Sequence, residues 1–461
     1  MAYDMYQDID NYDLLDEQYP YLEEEEENIT VSVSDLLEHC VKPTVLQNYQ
    51  KILFLLTICL IFRIMTHFPK HNSLMFHLSS ILGGLSILYV FLGIKFVQTI
   101  GLVISGYTVI RLLILFDKNS KGYVIGIIFL IYSFVAEFFL FDYDTWSNLR
   151  GSQMLASMKI LSYSFDVDAG LIKDFKLIDF CGYVLCPANC IFGPWVSYSD
   201  YIKLKYNDSW DFKWLQKIMF SFLMSVIFFV ISVCFLEWLI PEESNILLLV
   251  YRNAMLFRFG HYFVSYLSEV TSVLSGFGGN KWDFIVAKPL SLELPYSLVQ
   301  VVINWNIPMH RWLKTYIFKT TIHLGSFVAV MHTYLVSSLL HGFNFRIAAV
   351  LLSLGIYTYV EHSFRDCLSK TFNACVTSKP CLTYCKKHKR TTRNLIVHTV
   401  NLFFMAVAIF HLAYLGVLME ANNSKTTSIQ ELFKEWINLH FFSHWTIFAT
   451  FCVYLMIRLI S

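Results

Sequence analysis

Long apolar blocks, separated by short polar breaks, constrain this chain more than any other feature. They fall at 51–67, 75–93, 96–116, 122–141, 178–196, 215–240, 246–275, 322–341, 346–362, 395–418 and 438–460. A helix crosses the hydrocarbon core of a bilayer with roughly 20 apolar residues at 1.5 Å rise each, and several of these blocks meet that length. Hydrophobic residues make up 56% of the 461 positions and charged residues 15%. A soluble chain carries roughly a quarter charged residues, and its core does not need such long blocks. The reading is an all-α, polytopic membrane helix bundle.

Charge is segregated along the chain. Residues 1–41 hold no Lys or Arg, but do hold Asp4, Asp8, Asp10, Asp13, Asp16, the run Glu23 to Glu27, Asp35 and Glu38. Like charges in a block repel, so residues 1–48 read as a disordered acidic tail and 49–461 as one membrane domain. The tail lacks the basic and apolar parts of a cleaved signal peptide, which leaves the first hydrophobic segment, near Leu53, as the targeting signal. No internal repeat and no Gly/Ser linker divides the rest.

Three stretches depart from simple spans. The block at 178–196 is interrupted by Pro187, Asn189, Gly193 and Pro194. Broken backbone at membrane depth survives only where protein or a water-filled cavity covers it, so this block reads as a re-entrant element or cavity wall. Residues 145–168 and 297–319 are amphipathic and read as interfacial helices. The loop from Arg365 to Arg393 carries Lys370, Lys379, Lys386, Lys387, Lys389 and Arg390 against Asp366, which assigns it to the cytosol. The turn His341-Gly342-Phe343-Asn344-Phe345 then falls toward the lumen, as does 421–436 with its sequon at Asn422. Further sequons stand at Asn28 and Asn207.

Of the 11 cysteines, Cys59, Cys234 and Cys452 lie in apolar runs and read as small buried hydrophobes. Cys181, Cys186 and Cys190 form one cluster, and Cys375, Cys381 and Cys385 another that ends in His388. The second has the composition of a zinc site, but in a basic loop free or S-acylated thiols are the expectation, and no metal is assigned.

His341 is the most informative residue. It ends the run Tyr334-Leu335-Val336-Ser337-Ser338-Leu339-Leu340. Ionisable groups in membrane segments are costly, and imidazole suits proton transfer near neutral pH. The alternative is a helix-end histidine bonded to a backbone carbonyl. A continuous helix over 322–362 would be about 60 Å long, twice the hydrocarbon thickness, so the block must break, with Gly342 and Asn344 as the break. Asn306, in Trp305-Asn306-Ile307-Pro308, is the second candidate: its amide could orient a thioester, donate to an oxyanion or fix an imidazole tautomer, or simply form a turn. His261, His332, His398 and His411 read as packed core histidines, and Glu137 and Glu269 as partners of a polar cavity or of Arg252 or Arg258. No HExxH, G-x-S-x-G, Walker A or G-x-G-x-x-G occurs, which excludes the common hydrolase, NTPase and dinucleotide readings. The aromatics, at 17%, read as girdle and packing residues, so no nucleic acid is expected as a partner.

An Asn in an interfacial segment followed by a His in a long hydrophobic stretch resembles the membrane-bound O-acyltransferase family. Trp305-Asn306-Ile307-Pro308-Met309 is similar to its Asn motif and Ser338-Leu339-Leu340-His341-Gly342-Phe343 to its His motif. Arg150-Gly151-Ser152-Gln153-Met154, Phe165-Asp166-Val167-Asp168, Phe192-Gly193-Pro194-Trp195-Val196-Ser197, Gly260-His261-Tyr262-Phe263-Val264, Lys288-Pro289 and Ala408 to Gly416 resemble the branch that acylates a serine of secreted Wnt proteins.

The resemblance implies roughly 10–11 transmembrane segments, with re-entrant and interfacial helices, around a central tunnel. It implies palmitoleoyl-CoA as donor substrate with no permanently bound cofactor, a Wnt serine as acceptor, and the endoplasmic reticulum membrane as location. It gives His341 and Asn306 the catalytic roles. Trp305, Arg311, Lys314 and Lys319 are candidates for acyl-CoA contact, with headgroup-facing cations as the alternative for the three basic residues. Rival readings are a sibling enzyme acylating another secreted protein or a lipid alcohol, a polytopic transporter, and a non-catalytic Wnt-binding scaffold.

Overall fold

The computed structural model describes residues 32–67, 72–116, 120–207, 209–381, 385–420 and 433–460. Among them there is no strand beyond an isolated bridge between Ala374 and Arg390; the rest of the regular structure is helical. The principal helices are α1 (Val33–His67), α2 (Ser73–Leu92), α3 (Phe96–Leu115), α4 (Lys121–Leu140), α5 (Tyr143–Asp168), α6 (Leu177–Val184), α7 (Phe212–Leu239) and α8 (Ile246–Leu274). They continue with α9 (Pro289–Glu293), α10 (Leu298–Trp305), α11 (Ile307–Leu313), α12 (Ser326–Leu340), α13 (Phe345–Phe372), α14 (Leu395–Glu420), α15 (Lys434–Asn438) and α16 (Phe442–Ile460). Seven helical stretches among the described residues are long and apolar enough to cross a membrane: α1, α2 with α3, α4, α7, α13, α14 and α16. The second of these breaks at Gly93, whose φ of +56° ends one 20-residue helix before the next begins. The chain divides into two units, Met1–Pro241 with Phe259–Phe284, and Glu242–Arg258 with Ile285–Ser461.

In the first unit, α1 starts well before residue 49. Ser32 and Asp35 form a reciprocal capping box, Ser32 Oγ accepting from the Asp35 N–H and the Asp35 carboxylate accepting from the Ser32 N–H. A wider turn at Leu37–Val41 then accommodates Pro43, which has no N–H to give and crowds the carbonyl four residues back. The acidic tail proper, residues 1–31, and the sequon at Asn28 lie outside the described residues. Cys234, read as a buried hydrophobe, forms a disulfide with Cys40, because α1 and α7 bring the two Cα atoms to 5.9 Å. Cys59 and Cys452 are free thiols.

The expectation of an interfacial helix at 145–168 is overturned. α5 is buried along most of its length, packed against α3 and α4. Its polar residues meet interior partners instead of headgroups: Ser152 with Thr99 at 3.3 Å, Gln153 with Tyr132 at 2.8 Å, and Lys159 with the end of α6 and the segment that follows it. Gly106 and Gly122 permit the contact, since a Cβ there would sit 2.9 Å from Ile160 and 2.5 Å from Phe165.

The interrupted block at 178–196 is α6 followed by irregular, almost wholly buried backbone. Such backbone must find its hydrogen-bond partners within the protein. Lys159, fully buried, donates to the carbonyls of Tyr183 (3.2 Å) and Val184 (3.0 Å) and to Asn189 Oδ1 (2.6 Å). Ser80 donates to Gly182 O, Thr271 to Ala188 O, Ser268 to Phe192 O and Tyr183 OH to Val196 O. Gly84 lets this backbone lie against α2: a Cβ there would overlap the Leu185 carbonyl oxygen at 1.7 Å. Glu269 pairs with Lys217 and Ser221 of α7, which face it from that helix.

In the second unit, the 322–362 block does break where expected. α12 ends at His341, Gly342 takes φ +90°, and Asn344 caps α13 by accepting from the Arg346 and Ile347 N–H groups. α12 and α13 pack as a hairpin, with Gly355 against the Tyr334 ring. α13 also packs on α10, α14 and α16, and Tyr414, Trp436 and His444 join α14, α15 and α16 in an aromatic cluster. His411 is buried there, its Nδ1 2.6 Å from Ser443 Oγ, whereas His398, read as a core histidine, is exposed in the first turn of α14. The sequon at Asn422 lies outside the described residues.

Two outcomes test this fold. Lys159→Met leaves two buried oxygens, Val184 O and Asn189 Oδ1, without the donor they share, each costing about 1–3 kcal/mol, so stability in detergent should fall by at least about 2 kcal/mol, read as a lowered thermal midpoint. Mass spectrometry of unreduced peptides should recover Cys40 linked to Cys234, and Cys40→Ala should lower the thermal midpoint only when the wild type is kept oxidised.

Candidate active site

His341 sits in a turn. Its backbone N–H donates to Ser338 O at 3.1 Å, and Gly342 N–H donates to Leu339 O at 3.1 Å, closing the last turn of α12. His341 is half-buried and follows Ser337 and Ser338, which are buried, by one turn. The buried residues of α12 are Ala329, Ser337 and Ser338, and the left-handed Gly342 redirects the chain immediately after the ring. A histidine placed thus at a helix end is held at its backbone while its side chain stays at the edge of the packed interior.

Asn306 also sits where one helix stops and another starts. Ser297 caps α10 by accepting from Gln300 N–H at 3.1 Å. Pro308, in the first turn of α11, cannot donate backward and so prevents α10 from running on. Asn306 fills the junction: its Oδ1 accepts from Met309 N–H at 3.1 Å and its carbonyl accepts from His310 N–H at 2.8 Å. The flanking backbone is pinned by Ile307 N–H to Val286 O (2.8 Å) and Lys288 N–H to Asn304 O (3.1 Å). With its oxygen committed to the start of α11, the Asn306 carboxamide presents its NH₂ as the remaining functional end.

The four candidate acyl-CoA residues divide. Trp305, half-buried, stacks on Phe257 with ring centroids 5.9 Å apart and 15° between planes. Arg311, Lys314 and Lys319 are exposed, while Trp312, Tyr316 and Ile317 between them are buried. The 297–319 stretch thus keeps the polar and apolar sides its sequence suggested. Asn306 and His341 both belong to the second unit.

What anchors α10 was not singled out in the sequence. Arg365, placed there at the start of a basic loop, is instead fully buried, because α13 runs on to Phe372. Its guanidinium donates to Glu361 (3.0 Å), Asn401 Oδ1 (2.8 Å) and the carbonyls of Tyr296 (2.8 Å), Val376 (2.8 Å) and Thr377 (3.2 Å). The Tyr296 and Phe404 rings lie 4.7 and 4.6 Å from its central carbon. The other Glu361 oxygen accepts from Leu298 N–H at 2.8 Å, in the first turn of α10. One ion pair therefore ties the helix that leads to Asn306 onto the helix that begins just after His341. The signal in the sequence is a Glu and an Arg four residues apart, directly after the apolar run 347–360.

The sequence profile of the membrane-bound O-acyltransferase family matches residues 32–382. The chain is 36% identical to the protein-serine O-palmitoleoyltransferase porcupine of Homo sapiens, over 92% of this chain and 97% of that protein, and equally to that of Mus musculus. It is 31% identical to the Anopheles gambiae protein of the same description, over 93% of this chain and 94% of that protein. The chain belongs to the membrane-bound O-acyltransferase family. It is a multi-pass membrane acyltransferase, as the resemblance implied.

Arg365→Lys should fail to replace the wild type even though charge is kept, because an ammonium cannot reach five acceptors at once. The expected result is a fall in thermal midpoint together with loss of acyl transfer, whereas Lys370→Ala, at an exposed pair, should change neither.

Proposed function

We propose that this enzyme transfers a palmitoleoyl group from palmitoleoyl-CoA to a serine hydroxyl of a Wnt protein at the endoplasmic reticulum membrane. The observation that carries the reading is likeness along nearly the whole chain to relatives named for that acyl group and that acceptor residue. Acyl-CoA is cytosolic and a secreted acceptor is luminal, so a site within the bundle lets the two meet without either crossing.

His341 acts as general base. It takes the serine proton as the hydroxyl oxygen attacks the thioester carbonyl. The tetrahedral intermediate carries the negative charge on its oxygen. Asn306 donates from its NH₂ to that oxyanion, a role that suits a carboxamide whose own oxygen is already engaged with Met309. Collapse forms the ester, breaks the C–S bond, and releases the CoA thiolate, which takes the proton back from the His341 imidazolium. Arg311, Lys314 and Lys319, exposed on and beyond α11, meet the CoA phosphates, with Trp305 nearby on the same segment.

Purified enzyme, labelled palmitoleoyl-CoA and a Wnt acceptor test this directly. His341→Ala should remain folded and give no product. Asn306→Ala should lower turnover by about 100- to 1,000-fold, the effect of one oxyanion donor, with much less change in acyl-CoA binding. Full turnover by the histidine variant would remove that residue from the chemistry. Transfer to an amine or a lipid alcohol instead of the Wnt serine would move the enzyme to a sibling activity, and absence of any transfer would leave a scaffold or a transporter.

A further inference from the structure

Between α13 and α14 the chain folds into a knuckle that no part of the acyl-transfer proposal uses. Cys375, Cys381, Cys385 and His388 place one donor atom each within 4.8 Å of the others, and the three thiols are free. His388 Nδ1 lies 3.4 Å from Cys385 Sγ, 3.6 Å from Cys375 Sγ and 3.7 Å from Cys381 Sγ. A tetrahedral zinc ion with Zn–S of about 2.3 Å and Zn–N of about 2.0–2.1 Å requires a nitrogen–sulfur separation of about 3.5–3.6 Å. The three observed separations bracket that value, with the imidazole nitrogen facing all three sulfurs.

The second ring nitrogen decides the tautomer. His388 Nε2 is 3.0 Å from Ser369 Oγ, and the Ser369 hydroxyl gives its proton to Ala374 O at 2.7 Å. Ser369 must therefore accept from His388 Nε2–H, which leaves the lone pair on Nδ1, the atom aimed at the sulfurs. This is the outer-shell arrangement that orients a metal-binding imidazole. The backbone holds the knuckle closed: Cys375 N–H donates to Arg390 O (2.9 Å), Arg390 N–H to Asn373 O (3.0 Å), and Lys389 N–H to Asn373 Oδ1 (2.9 Å).

We propose that Cys375, Cys381, Cys385 and His388 bind a structural zinc ion. The three thiols lose their protons as the metal binds, so three thiolates and Zn²⁺ leave a net charge of −1. Lys379, Lys386, Lys387, Lys389 and Arg390 surround it in sequence and offset that charge. Four protein donors close the coordination sphere, which assigns the ion a structural role and no part in catalysis. Cys375 is fully buried, which opposes its S-acylation. The knuckle supplies the Val376 and Thr377 carbonyls that Arg365 holds and the Cys375 carbonyl that accepts from Asn401. The ion thus fixes the loop on which the Arg365 anchor depends.

The test uses the full-length protein, purified in detergent without chelator from zinc-supplemented cells. Elemental analysis should find one zinc per chain. Cys381→Ser and His388→Ala should lose it, while Cys367→Ser and Cys452→Ser, outside the cluster, should keep it. Ser369→Ala, a positioning change, should weaken zinc about 10- to 100-fold against a chromophoric chelator. Because a ligand variant can fail to fold, zinc-edge X-ray absorption of the wild type provides an independent reading: three sulfurs at about 2.3 Å and one nitrogen at about 2.0–2.1 Å. Wild-type protein without stoichiometric zinc, a first shell without sulfur, or intact thiols found acylated or disulfide-linked would each overturn the proposal.

Discussion

Every polar group of the backbone needs a partner where lipid excludes water, and in this protein two buried cations meet that requirement where the helices stop. In the first unit, Lys159 serves the carbonyls of Tyr183 and Val184 and the side chain of Asn189. In the second, Arg365 serves the carbonyls of Tyr296, Val376 and Thr377. An unsatisfied carbonyl in hydrocarbon costs several kcal/mol, so irregular segments at such places exist only because a donor was brought to them. A helix satisfies its own carbonyls; a turn does not. Together with hydroxyls such as those of Ser80, Thr271 and Ser268, the two side chains let irregular backbone persist between helices.

Both candidate catalytic residues lie at interruptions. Asn306 lies where Pro308 forces α10 to give way to α11, and His341 lies where Gly342 ends α12. A side chain in mid-helix is surrounded by its neighbours on the turns above and below. One at a helix end has an open side while its backbone remains bonded to the helix. Both candidate residues have this setting, and the Glu361–Arg365 pair fixes α10, which precedes one of them, to α13, which follows the other. Rigid helices supply the frame, and short breaks carry the candidate groups.

Arg365 itself is held by more than its partner Glu361. A lone buried ion pair loses much of its attraction to the cost of removing both charges from water. Here the remaining donors find carbonyls and an amide, and two aromatic rings flank the guanidinium. Two of those carbonyls, of Val376 and Thr377, come from the 374–378 turn, which the Cys–His knuckle folds back on itself. Order therefore passes from the knuckle to the arginine, from the arginine to α10, and from α10 to Asn306.

The helical membrane architecture, the break at Gly342 and Asn344, and the candidacy of His341 and Asn306 were all legible in the chain. Each follows from local rules: hydrophobic length, the conformational freedom of glycine, the missing N–H of proline, and the cost of an ionisable group among apolar ones. Residues 145–168 were misread for a physical reason. An amphipathic pattern states that polar groups need polar surroundings, and it does not say whether water, headgroups or buried carbonyls provide them. Only the packing of α5 against its neighbours revealed that Lys159 faces broken backbone. In the same way a cysteine's partner is fixed by where two distant segments meet, so Cys234 showed its link to Cys40, and Cys375, Cys381, Cys385 and His388 their convergence, only in three dimensions. Sequence determined which segments are helical and where they must stop, because those depend on neighbours along the chain. Tertiary structure decided what meets at the stops, because hydrogen bonds and metal donors pair through space.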